Sequence, residues 1–336
     1  MKQQYSARNH FAWVLFKLSA CLVIFGQLAY SQDTNIANPQ LSKASSDEWV
    51  KFYVTVTDKD GNNLQGLNHF DFAILCDKQP QSLSYFSRQD EPVGVVFLID
   101  TSGSMKGNRS PLNVAEALPS FLQNGNKQNE YSVIGFNQSV QLVLDWTRNS
   151  EDILNSIHTF ATTLPRGQTA LFNALATSIE QAKKSKLSKR VILVLSDGLE
   201  NASTMKEAAL QRLIGESNIL IYAVDVNELL RPMPERFRPL DQVAQEGRAF
   251  LTALSRRTGA AAFYPTTKEG LKESLEWIAN DLHHQYVIGF HPACKAGAHG
   301  FHTVKISLTA QPTQIQERKR LLLRHREAYF ADASQK

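Results

Sequence analysis

The stretch Val95-Val96-Phe97-Leu98-Ile99-Asp100-Thr101-Ser102-Gly103-Ser104-Met105-Lys106-Gly107 decides how this chain is read. A continuous apolar run stops at an acid, and two serines and two glycines follow. Such a run suits a strand buried on both faces of a parallel sheet. Residues 131–136, 191–195 and 219–224 have the same character. Between these runs, apolar residues recur at helical spacing. Ile153, Leu154, Ile157 and Phe160 form one such set, and Leu171, Leu175, Ile179 and Ala182 another. Leu271, Leu275, Ile278 and Leu282 form a third. Alternating strands and helices predict an α/β fold, a doubly wound, mostly parallel sheet with flanking helices. Residues 140–144 follow the second run too closely for a crossover and predict an antiparallel edge strand. Pro119 falls inside the first helix, expected over 113–123, and should kink or restart it.

Outside this region the pattern is β. Residues 49–57 alternate, with Val50, Phe52, Val54 and Val56 on one side and Lys51, Tyr53, Thr55 and Thr57 on the other, which predicts a half-buried strand. Asp60-Gly61 marks a turn. Residues 70–76 and 82–87 follow as further strands, and 285–290, 301–308 and 320–324 resume the pattern after the last helix. The expected organisation is a Rossmann-like α/β domain over 92–284, inserted into a small β unit formed by both chain ends, 49–91 and 285–331. Residues 227–245, with three prolines and several arginines, read as an exposed loop. No internal repeat is present.

The N-terminus reads as a targeting segment. Lys2, Arg8 and Lys17 precede any acid, residues 18–30 are mostly apolar, and Ala29 and Ser31 are small residues at −3 and −1 of a cut before Gln32. This predicts a signal peptide over 1–31 and a polar linker over 32–48. The chain would then be exported, either secreted or held in the periplasm or cell envelope. An uncleaved membrane anchor and lipidation at Cys21 rank behind simple cleavage. Removing three cations and no acids lowers the formal charge from +4 to +1. A nearly neutral chain carries no electrostatic footprint for nucleic acid. Arg318, Lys319, Arg320, Arg324 and Arg326 are flanked by Glu317 and Glu327 and fit a solvated strand face, so membrane-surface contact is a secondary reading. Cys76 and Cys294 remain after cleavage. In an exported chain they suggest a disulfide; the alternative is two separate thiols.

Functional loops of a parallel α/β sheet lie at the carboxyl ends of its strands. Asp100, Ser102 and Ser104 lie at one such end. Thr169 stands in the loop before a helix, in Gly167-Gln168-Thr169-Ala170-Leu171. Asp197 ends a second buried run, Val191 to Leu195, through Ser196-Asp197-Gly198. Carboxylates and hydroxyls are hard oxygen ligands, suited to Mg²⁺, Mn²⁺ or Ca²⁺ better than to zinc. Taken singly, each residue could be a helix cap or loop residue; their occurrence together after the right strands favours a metal site.

The ordered set Asp-x-Ser-x-Ser, Thr and Asp resembles the metal-ion-dependent adhesion site of the von Willebrand factor type A domain. Residues 54–58, 70–72 and 285–290, with the closing 326–330, are similar to an exported bacterial, acidobacterial group of that family. Ala328 stands where that group has glycine. The resemblance spans roughly 49–331. It implies that Asp100, Ser102, Ser104, Thr169 and Asp197 hold a divalent cation, Mg²⁺ first, with Mn²⁺ or Ca²⁺ as alternatives. The hydroxyls would bind directly and the acids directly or through water. An open coordination position would take an Asp or Glu side chain from a protein partner. The expected role is therefore adhesion or protein binding, with no catalytic residue. A metal-dependent hydrolase ranks second. No Gly-x-Ser-x-Gly elbow is present, and Ser102 occupies the second position of a phosphatase Asp-x-Asp. An accessory subunit of an envelope assembly complex ranks third. The histidines near the end of the chain lack zinc-finger spacing, so a zinc site there is disfavoured. Asp225 ends another apolar run and reads as a loop cap or an arginine partner.

Overall fold

The computed structural model describes residues 49–108, 110–162, 167–226, 242–292, 300–309 and 321–331. All lie within one compact unit, 43–336. The signal-peptide and linker readings, and Cys294, fall outside the described residues.

The α/β domain is built on a six-stranded sheet. Its strands are β5 (Val93–Asp100), β6 (Glu130–Phe136), β7 (Val140–Thr147), β8 (Lys189–Leu195), β9 (Leu220–Val224) and β10 (Ala262–Phe263). Their order is β10-β9-β8-β5-β6-β7. All pairs are parallel except β6–β7, the expected antiparallel edge. Every residue of β5 is buried. Its alternation feeds two cores. Val95, Phe97 and Ile99 pack on the side of α1 (Ser110–Gln123), α2 (Ser150–Ala161) and α6 (Lys268–His283). Val96 and Leu98 pack on the side of α3 (Leu171–Lys183), α4 (Glu207–Ser217) and α5 (Gln242–Thr258). Doubly covered, β5 is apolar from Val93 to Ile99 and β8 from Val191 to Leu195, which is why the opening run lacks alternation.

Both chain ends form the β unit. One four-stranded sheet has the order β13-β1-β11-β4, with β1 (Val50–Thr57), β4 (Tyr85–Ser87), β11 (Tyr286–Phe290) and β13 (Leu322–Arg324). The other has the order β14-β12-β2-β3, with β2 (Phe72–Cys76), β3 (Gln79–Gln81), β12 (Gly300–Leu308) and β14 (Ala328–Ala331). Phe52, Val54, Tyr286 and Ile288 of the first meet Phe72, Ile74, Val304 and Ile306 of the second in one core, so the sheets stack face to face. β1 pairs antiparallel with β11 from Val50↔Phe290 to Val54↔Tyr286, which places the α/β domain as an insertion between them.

Four local expectations are corrected. β1 is buried on both sides, with Tyr53, Thr55 and Thr57 at 5% exposure or less. α6 packs against its polar side, where Thr55 Oγ1 donates to the buried Asp281 (2.9 Å), which also accepts from Tyr222 OH (2.6 Å) and Arg324 (2.9 Å). The strand expected at 82–87 is confined to β4, Tyr85–Ser87, and an unexpected strand, β3, precedes it in the other sheet. β2 and β3 turn through Asp77 and Lys78, both at positive φ (47° and 67°), as a tight two-residue hairpin requires. α1 runs without a break through Pro119. Of the expected loop 227–245, the last residues already belong to α5.

Candidate functional site

β5 and β8 are adjacent parallel strands, paired up to Ile99↔Leu195. Their ends therefore deliver Asp100 and Asp197 side by side. Asp100 is 1% exposed. Its Oδ1 accepts from the Ser102 amide (2.8 Å), an Asx turn that starts the loop, and its Oδ2 accepts from Ser196 Oγ (2.6 Å). Thr101 anchors the turn sideways, its N–H and Oγ1 both donating to Phe136 O (2.8 and 3.0 Å). The turn brings Ser102 Oγ within 3.1 Å of Ser104 Oγ. Ser104 also hydrogen-bonds the Asp197 side chain. The Gly103 amide donates to Gly167 O (3.0 Å), drawing in the loop that carries Thr169. Asp100, Ser102, Ser104 and Asp197 thus converge at the carboxyl ends of the central strands, with the loop that carries Thr169 drawn alongside.

Thr169 is buried, and its hydroxyl hydrogen-bonds to no described residue. It does not cap the following helix. The N-cap of α3 is Ala170, which has no side-chain capping bond. Behind Asp197, Gly198 has φ +80° and lies against Gly247 of α5, so closely that a Cβ on either would press on the other's backbone or on Asp197 O. Only glycine allows this approach.

The electrostatics follow from burial. Desolvation raises the Asp100 carboxyl from 3.8 to about 7, and the neighbouring Asp197 charge adds to this against the hydrogen bonds from Ser196 and Ser102. Burial also raises Asp197, opposed by the Leu199 amide (3.1 Å) and Ser104. Asp225, which also raises Asp197, is engaged by Arg248 Nε at 2.9 Å, the arginine partnership the sequence suggested. Two carboxylates are therefore held side by side largely out of water. Their donor atoms and those of the neighbouring Ser102 and Ser104 are hard oxygens, a chemistry that fits a divalent cation.

Three contributors escaped the sequence reading. Ser196 braces Asp100 and also accepts from Gly198 N (3.1 Å). Asn201 and Glu200 hold the Thr169 loop. Ser196 could have been noticed from its place between a buried strand and Asp197. Nothing local marks the partners of the other two.

A second cluster, Cys76, Asp77 and His302, brings potential ligand atoms within 4.8 Å of one another. Cys76 is disulfide-bonded, so its sulfur is not available as a thiolate. Asp77 Oδ2 lies 2.7 Å from His302 Nδ1, and its Oδ1 accepts from the Thr303 amide and hydroxyl. These contacts brace the β2–β12 pair and do not make a metal centre.

Residues 95–200 match the family model of the von Willebrand factor type A domain. Similar solved structures include a von Willebrand factor type A protein from Catenulispora acidiphila, at 13% identity over 86% of this chain and 64% of that one (TM-score 0.44). The PilB minor pilin from Streptococcus sanguinis matches at 13% identity over 59% of this chain and 63% of the pilin (TM-score 0.43). An aerotolerance-related membrane protein from Bacteroides fragilis matches at 16% identity over 56% of this chain and 98% of that one (TM-score 0.41). This chain therefore spans under two thirds of the length of the pilin and of the Catenulispora protein. Among the described residues no helix is long and apolar enough to cross a membrane. Residues 95–200 of the α/β domain, which carry all five predicted site residues, are thus similar in sequence to the von Willebrand factor type A domain.

Proposed function

We propose that the chain is an exported, metal-ion-dependent protein-binding or adhesion module. Asp100, Ser102, Ser104, Thr169 and Asp197 would hold a divalent cation, with Mg²⁺ the first candidate and Mn²⁺ or Ca²⁺ the alternatives. The observation that carries this reading is the convergence of two buried carboxylates and the Ser102 and Ser104 hydroxyls at the strand ends. The Asp197 charge raises the Asp100 carboxyl, and Ser102 and Ser104 place their hydroxyls beside the pair. A bound cation would offset the repulsion between the two carboxylates and act as a Lewis acid toward an incoming carboxylate. With two acids and three neutral hydroxyls, a protein partner's Asp or Glu is the group expected to complete the shell. The groups hydrogen-bonded around Asp100 are hydroxyls and amides, a set that holds and orients a cation and supports binding over turnover. Export is supported by the N-terminal pattern and by the disulfide at Cys76, a bond that persists in oxidising compartments.

The test is calorimetric titration of Mg²⁺, Mn²⁺ and Ca²⁺ into the wild-type protein and Asp100→Ala. Wild-type binding should raise thermal stability by about 2.7 kcal/mol at 100-fold excess over Kd, and Asp100→Ala should lose both effects. Capture of a carboxylate-bearing partner should then disappear in chelator. Equal metal binding by wild type and Asp100→Ala would refute the site, and partner capture that persists in chelator would refute the adhesion mode.

A further inference from the structure

Thr169 is the predicted ligand whose position owes most to another part of the chain. Its amide donates to Asn201 Oδ1 (2.8 Å). Its carbonyl accepts from the amides of Asn201 (3.0 Å) and Ala202 (3.1 Å). A backbone N–H can only donate, so the Asn201 side chain must present its oxygen here. The turn that carries these groups is itself wrapped around Glu200. Glu200 Oε1 accepts from the amides of Ala202 (2.9 Å) and Ser203 (2.8 Å), and Oε2 accepts from Ser203 Oγ (2.8 Å). Oε2 also accepts from the Phe172 amide (2.8 Å) in the first turn of α3.

That last contact has a specific logic. A helix start leaves amides without partners, and a carboxylate there is favoured by the helix dipole. The N-cap of α3 is Ala170, whose side chain cannot cap. Glu200, 28 residues further along the chain, supplies the acceptor instead. Asn173 makes a second tie, its amide donating to Ser203 Oγ (3.0 Å) and its Oδ1 accepting from Met205 N (3.0 Å). The segment directly after Asp197 therefore fixes both the residue before the helix and the helix itself.

We propose that Glu200 and Asn201 are positioning residues for the metal. They hold the Thr169 hydroxyl in register with the loop of Asp100 and the loop of Asp197. The inference rests on the metal-site reading above. A neutral hydroxyl is a weak ligand, so little of the binding free energy is available to order the loop that carries it. Order supplied beforehand by Asn201 and Glu200 then appears directly as affinity, as with other outer partners of metal ligands.

The test measures Mg²⁺ affinity and amide exchange at Thr169 and Phe172 for Asn201→Leu, Asn201→Asp and Glu200→Gln beside Asp100→Ala. Asn201 is exposed, so the Leu variant keeps the size of the side chain and removes only the acceptor. It should bind Mg²⁺ about tenfold more weakly, with faster exchange at Thr169. Asn201→Asp keeps the acceptor and should bind at least as tightly as wild type. Glu200→Gln loses acceptor capacity toward Phe172 or the turn, and should weaken Mg²⁺ binding and speed exchange at Phe172. Asn201→Leu binding within twofold of wild type, while Asp100→Ala binds nothing, would overturn this inference and leave the metal site standing. A wild type that binds no Mg²⁺ would overturn both.

Discussion

Ser196→Ala tests the bracing of the site without touching any proposed ligand. Ser196 is fully buried. Its hydroxyl donates to Asp100 Oδ2 at 2.6 Å and accepts from Gly198 N at 3.1 Å. A hydrogen bond to a charged acceptor contributes about 1.5–3 kcal/mol, and a buried amide left without an acceptor costs about 1–3 kcal/mol. Relaxation cannot recover much, because Gly198 is clamped against Gly247 and Leu251. The variant should therefore lose about 3 kcal/mol of stability. For an α/β domain of this size that corresponds to roughly 6–12 °C in Tm. Urea and thermal unfolding in chelator would measure it, with Ser139→Ala as an exposed control expected within about 0.5 kcal/mol of wild type. A Ser196→Ala protein as stable as that control would refute the assignment of Ser196 as the brace of Asp100. Weakened Mg²⁺ binding should accompany the loss, since Asp100 would keep its proton more firmly once a donor that opposes the upward shift is gone.

Three further outcomes follow from burial. Lys189 is buried with its Nζ donating to Leu282 O, and desolvation lowers it from 10.5 to about 8. Between pH 8 and 10 the unfolded chain holds a proton that the folded chain has released, so unfolding free energy should rise by up to about 2–3 kcal/mol across that window and stay flat in Lys189→Met; a fall in wild type over that range would contradict it. His325 accepts from Ile306 N (3.1 Å) at Nε2 and donates from Nδ1 to Arg326 O (2.7 Å), and burial lowers it from 6.5. Its neutral form is the folded form, so stability should decline as pH falls below about 6.5, with a shallower slope in His325→Gln by denaturant titration from pH 7 to 5. Gly198→Ala combines a left-handed φ with a Cβ 2.8 Å from Leu251 Cγ and even closer to Gly247 O, and should cost at least about 2 kcal/mol in the same assay.

What was legible in the chain depended on how far apart the interacting residues lie. Asp100, Ser102 and Ser104 share one turn, and Asp197 ends a strand that repeats the pattern of β5, so local order alone placed them at one edge of the sheet. The parallel strands were legible because burial on both faces leaves an unbroken apolar run. The polar side of β1 was misread for the converse reason. Thr55 is buried by a hydrogen bond to Asp281, 226 residues away, and no property of residues 49–57 announces a helix packed against them. Ser196, Glu200 and Asn201 fall in the same class. Their partners lie 96, 28 and 32 residues distant. Ser, Glu and Asn in a loop are too common to imply a bracing role by themselves. The proposed ligands can be recognised by residue type, because a cation demands oxygen at fixed spacing. The bracing residues need only offer an acceptor where an amide happens to point, and that condition is set by the packing of α3 against the loop after β8.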